Sequence, residues 1–141
     1  MYSWSAPLGH PGDLDELVAV LVSLARTKYG VERISLVQFF DAVERVAREY
    51  PDLFEGVDFQ RSGDAVSSRA LGNALQGSLN FGLEICNPSF QYVTVNQGES
   101  EKIISWSEKR SGERFVLALE RVAESFARLI EPPKTVTGSL G

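Results

Sequence analysis

The chain is poor in the residues that build chemistry: it has one cysteine, one histidine and one methionine in 141 positions. A lone thiol, Cys86, excludes an internal disulfide and suits a reducing compartment, so a cytoplasmic location is the expectation. One Cys and one His cannot form a zinc site of the usual type, and no acidic run has the spacing of a calcium loop. The acidic cluster Asp13, Asp15 and Glu16 is explained more simply by helix capping than by a cation. His10 stands between Gly9 and Pro11 in a segment without periodicity. A His10–Cys86 dyad would require that segment to be fixed against a strand. A solvent-exposed His10 and an inert Cys86 is the simpler reading. There is no phosphate-cradling Gly-x-x-x-x-Gly-Lys-Ser/Thr loop and no Gly-x-Gly-x-x-Gly fingerprint. The longest strongly apolar run, Leu17 to Val22, is far too short to cross a bilayer. Met1 to Gly12 lacks the basic flank and apolar core of a secretory signal. The expectation is a protein that is not an enzyme and carries no metal or cofactor.

What is present fits one domain with a substantial core, since 43% of residues are hydrophobic and 23% charged. The formal net charge is −5, so the overall field repels nucleic acid and any DNA binding needs a local basic patch. The charge is uneven. Residues 1–66 carry eleven acids against six Lys or Arg, whereas residues 67–96 hold only Arg69 and Glu84.

Residues 1–12 read as an irregular amino-terminal arm, residues 13–131 as a single domain, and residues 132–141 as a tail. The first helix is predicted from Asp13, where Asp13 and Glu16 have the spacing of a capping box, to Gly30. Its stretch Leu17–Leu24 is apolar nearly all round, which predicts a central helix with neighbours on several sides. The second helix is predicted from Ser35, with Gln38 in the reciprocal capping position, to the stop at Pro51. Residues 51–66 read as a long acidic connection with a short helical turn at Leu53–Phe54. The third helix runs from Ser67 or Ser68 to Asn80, with Leu71, Ala74, Leu75 and Leu79 on one face. Leu83–Cys86 and Phe90–Val95 are predicted strands on either side of the Asn87-Pro88-Ser89 turn signal. Residues 102–107 suit either a strand or a helix. Phe115, Ala118, Leu119, Val122, Phe126, Leu129 and Ile130 form one stripe of a long carboxy-terminal helix that Pro132-Pro133 ends, and Phe115, Leu119, Val122, Phe126 and Ile130 are its candidate seam residues. The fold class is mainly α with a small antiparallel β-hairpin.

Residues 67–98 carry a resemblance. Ser67-Ser68-Arg69-Ala70-Leu71-Gly72-Asn73-Ala74-Leu75 is similar to the recognition helix of winged helix-turn-helix domains. Gly82-Leu83-Glu84-Ile85 sits where such domains pass into the first wing strand, and Phe90–Val95 resembles the returning strand. The likeness extends over residues 14–110 and implies a winged-helix-like fold that acts as a DNA-binding transcription regulator. It also implies that Arg69, Asn73, Gln76 and Asn80 share a polar face toward the major groove, where Asn and Gln suit adenine and Arg suits guanine. Ser68 at the helix amino end and the nearby Arg61 would then meet phosphate. The outer face of any surface helix has the same polar character.

A second reading keeps the scaffold and makes it a protein-interaction component without DNA binding. The wing segment has neither Lys nor Arg, and Phe81, Phe90 and Tyr92 lie on or beside it. The apolar stripe of the last helix also has two readings. It serves as the seam of a homodimer through residues 112–130, or it packs inward on the first helix.

Overall fold

The structure, a computed structural model, describes residues 11–63, 65–86 and 92–130. Its elements in order are α1 (Pro11–Tyr29), β1 (Arg33–Ser35), α2 (Leu36–Glu49), a 3-10 turn (Pro51–Phe54), β2 (Gln60–Ser62), β3 (Ala65–Ser67), α3 (Arg69–Ser78), a second 3-10 turn (Leu79–Phe81), β4 (Glu84–Cys86), β5 (Tyr92–Thr94), α4 (Gln97–Ser111) and α5 (Glu113–Ile130). The protein is mainly helical with small antiparallel sheets and a long carboxy-terminal helix, as the sequence predicts. Among the described residues no helix is long and apolar enough to cross a membrane.

α1 is the axis of the molecule. Its apolar residues from Leu17 to Ala25 are buried on every side, because α3, α4 and α5 pack around it. The helix begins at Pro11, two residues before the expected start, and proline's fixed φ suits a first helical position. Glu16 does not reach back to cap the helix. It is buried and turned toward α4, where Ser107 and Ser111 donate to it.

α2 starts as predicted: Ser35 Oγ accepts from the Gln38 amide at 3.1 Å, and the Gln38 side chain returns to the Ser35 backbone. Phe39 is buried edge-to-face against Phe126 of α5, with ring centres 6.1 Å apart. The five predicted seam residues Phe115, Leu119, Val122, Phe126 and Ile130 are likewise buried within the chain, whereas Ala118 of the same predicted stripe is half-buried and Leu129 is exposed. The inward reading of α5 is therefore correct. The aromatic and aliphatic surface that a seam would need already packs in the core.

The first sheet has the strand order β1-β5-β4, with Ile34 opposite Val93 and Ile85 opposite Val93 on the other side. β4 and β5 are the predicted hairpin strands, shorter than expected, and residues 87–91 at their junction lie outside the described residues. β1 was not anticipated, since three residues ahead of a capping box carry no alternation. Nor was the β2–β3 hairpin, which replaces an expected plain connection over 60–66. Its strands are three residues long and mostly exposed, so they leave no period-two burial signal. The short turn at Leu53–Phe54 does form, with both side chains buried. Residues 102–107 are helical within α4, which Asn96 caps by accepting from the Glu99 amide.

Gly77 lets α1 and α3 approach closely: a β-carbon there would land on the Asp15 carboxylate. Burial also pushes the Asp15 carboxyl above its ordinary pKa. Gly77→Ala is expected to destabilise the fold by about 1–2 kcal/mol despite alanine's higher helix propensity. In an Asp15→Ala background the same change is expected to be neutral or stabilising by about 1 kcal/mol. Denaturant unfolding of the four proteins measures the cycle, and equal effects in both backgrounds would show that the two residues do not meet.

Candidate recognition face

α3 is entered from extended backbone at Ser68, whose Oγ accepts from the Leu71 amide at 3.1 Å. That cap fixes the rotation of the helix. Leu71, Ala74 and Leu75 point into the core, and helical spacing then sends Arg69, Asn73 and Gln76 outward, all three exposed. Asn80, in the 3-10 turn that continues the helix, is exposed too. Four of the six residues expected to contact nucleic acid thus lie on the outer side of α3 and its extension. Ser68 is buried, and its hydroxyl oxygen is used by the cap.

Arg61, the sixth, projects from β2 but is engaged elsewhere. Its Nη2 donates to Glu44 Oε1 at 2.7 Å and lies 3.9 Å from Asp41 Oδ1. Glu44 also accepts from Arg48 at 2.8 Å, and Asp41 accepts from Arg45 at 3.1 Å. Desolvation raises the Glu44 pKa, but the hydrogen bonds and charges of Arg48 and Arg61 outweigh it and hold the carboxyl below its ordinary 4.5. This network ties the β2–β3 hairpin to α2 and neutralises the second cation on the α3 side. Arg69 is the only cation of α3, and it makes no ion pair with another described residue.

At the hairpin, the Arg33 guanidinium lies 4.8 Å above the half-buried Tyr92 ring, and Glu84 is exposed. Phe90, another of the expected partner contacts, lies outside the described residues, as do His10 and the side chain of Cys86. Among the described residues no group of three or more His, Cys, Asp or Glu is arranged to hold a metal ion.

Beyond Asn80, half-buried Phe81 packs on Trp106 of α4 with ring centres 4.9 Å apart. Asn80, Phe81, Lys102, Ile103 and Trp106 line a shallow concavity of about 230 Å³. Trp106 is held from behind. The Arg110 guanidinium lies 5.3 Å from its ring centre, and Arg110 Nε is 3.4 Å from Glu16 Oε1. Glu16 Oε2 accepts from Ser107 at 2.6 Å and from Ser111 at 2.8 Å. The sequence reading did not find this cluster. Its signal was a carboxylate between Leu14 and Leu17 in a helix apolar all round, because a charge so placed must be paired and hydrogen-bonded.

Glu44 gives the site a pH signature. Its folded pKa lies below the unfolded value, so its stabilisation is complete above about 4.5 and is lost as the pH falls through the lower folded value. Glu44→Gln is expected to cost about 1 kcal/mol at neutral pH. That deficit should shrink as the pH falls below the ordinary carboxylate range, as followed by urea unfolding at a series of pH values. A deficit that persists unchanged in acid would contradict the network. Comparison of the chain with protein-family models, curated proteins and solved structures found no match.

Proposed function

We propose that the chain is a non-enzymatic protein-recognition module on a winged-helix-like scaffold, which engages its partner through the outer face of α3 and the neighbouring hairpin and Phe81–Trp106 patch. The observation that carries this reading is the engagement of Arg61 by Glu44 at 2.7 Å. It leaves the outer side of α3 and its extension with three amide side chains, Asn73, Gln76 and Asn80, and Arg69 as the one cation of that helix. Such a surface hydrogen-bonds well to the polar groups of a protein. It neutralises too few phosphates for a duplex, where six to ten contacts are typical of tight binders. Phe81, Trp106 and Tyr92 add apolar and aromatic area of the kind concentrated at protein interfaces.

DNA binding is the second reading, and one observation favours it. Arg69, Asn73 and Gln76 stand at positions i, i+4 and i+7 on an exposed helix followed by an antiparallel hairpin, and the sheet order β1-β5-β4 agrees with a winged-helix layout. Asn and Gln at that spacing can read adenine edges.

The two readings separate on salt. Fluorescence anisotropy with a mixed-sequence duplex is expected to show no salt-dependent binding between about 20 and 200 mM salt. A steep slope that is lost in Arg69→Ala/Asn73→Ala would establish the DNA reading instead. Affinity purification from the producing cell should then retain a protein in stoichiometric amount, released by Asn73→Ala/Gln76→Ala and by Tyr92→Ala.

A further inference from the structure

We infer that Glu16 of α1 is the positioning residue of the Phe81–Trp106 patch: acting through Arg110, it keeps the Trp106 ring seated on Phe81 and out of a second hollow beside it. That the patch is a recognition surface rests on the reading above, whereas the placement of the ring does not. Trp106 is 37% exposed and stands between two hollows on the outer side of α4. Asn80, Phe81, Lys102 and Ile103 line one, of about 230 Å³. Gly98, Glu101, Ser105 and Lys109 line the other together with Lys102, and it is wider, about 540 Å³. The ring meets Phe81 with centres 4.9 Å apart at a tilt of 44°. That contact falls between the stacked and edge-to-face geometries that aromatic pairs prefer, so it is a weak anchor on its own.

Attraction of a cation to the indole does not by itself choose a side, because Lys102 borders both hollows and Lys109 the second. What sets Arg110 apart is that it is fixed. Its guanidinium lies 5.3 Å from the Trp106 ring centre, and its Nε is 3.4 Å from Glu16 Oε1. Glu16 is 2% exposed, and its direction is set in turn by two serines one helical turn apart. Ser107 and Ser111 donate to Oε2 at 2.6 and 2.8 Å, which leaves Oε1 toward Arg110. The Lys102 side chain, by contrast, is 79% exposed with Nζ 3.8 Å from Glu99 Oε2, and Lys109 makes no ion pair with another described residue. A planar guanidinium tied to a buried carboxylate is a platform for the ring, and ammonium groups on solvated, flexible stems are not. The core helix thereby sets where a surface aromatic of α4 lies.

Nuclear Overhauser cross-peaks of the isotope-labelled full chain test this, with thermal melting of every variant to verify folding. The wild type is expected to show cross-peaks from the Trp106 indole to the Phe81 ring and to the Arg110 side chain. Glu16→Gln keeps a carbonyl oxygen for the serines but turns an amide toward Arg110 Nε, two donors face to face. Its Phe81–Trp106 cross-peaks should fall about twofold or more as the ring populates the second hollow. Arg110→Gln, an exposed change that leaves the core whole, should have the same effect. Adding Glu16→Gln to Arg110→Gln should then weaken them no further, since the influence of Glu16 passes through the guanidinium. Cross-peaks at wild-type strength in either single variant would overturn the proposal. So would a further fall in the double variant, which would mark general loosening of the core. If Glu16→Gln does not fold, Arg110→Gln alone decides. No partner is needed, so a chain that captures none would fail the recognition reading and leave this result standing.

Discussion

Nine consecutive residues of α1, Leu17 to Ala25, are buried around the whole circumference of the helix, and the rest of the molecule is arranged to supply that burial. A helix with no solvent face needs walls on every side. Here α3 and α4 form two of them, and α5, backed by α2, forms the third. Each fully buried aliphatic side chain contributes about 1.5–3 kcal/mol, so α1 dominates the core. The arrangement also constrains polar groups. Glu16 is retained inside only because two serines and an arginine of α4 meet it. Ser23 has a buried hydroxyl oxygen that meets no hydrogen-bond partner among the described residues, a cost of burying the whole turn.

The outer surface is set by what the walls have left over. α3 spends Leu71, Ala74 and Leu75 on the core and offers amides outward. α5 spends its aromatic stripe and offers Leu117 and Leu129. The Glu16–Arg110–Trp106–Phe81 chain of contacts links the core to the end of the α3 face, so the buried carboxylate helps to set the shape of a surface patch. The Glu44–Arg61 contact engages one of the cations on the α3 side.

The sequence made the helices legible because their signals are local and redundant. Ser35 and Gln38 form the capping box that their spacing announces, Ser68 caps α3, and the leucines of α3 face inward as their period demands. The outward placement of Arg69, Asn73, Gln76 and Asn80 follows from the same period. What escaped the sequence depends on partners distant along the chain. Glu16 meets residues some ninety positions away, so its place between Leu14 and Leu17 signals a paired carboxylate but not which residues pair with it. β1 and the β2–β3 hairpin are three residues per strand, too short for alternation to register. Arg61 looked available because its partners, Asp41 and Glu44, belong to a different element. The apolar stripe of α5 allowed two packings, and only the position of α1 chooses between them.

That position is open to one direct measurement, native-state hydrogen exchange followed residue by residue. If α1 is the enclosed axis, the amides of Leu21 to Ala25 exchange only through global unfolding, with an opening free energy equal to that from denaturant titration, about 5–15 kcal/mol for a domain of this size. The β2–β3 hairpin, held by surface ion pairs, opens at a much lower free energy. Exchange from the middle of α1 as fast as from that hairpin would contradict the account.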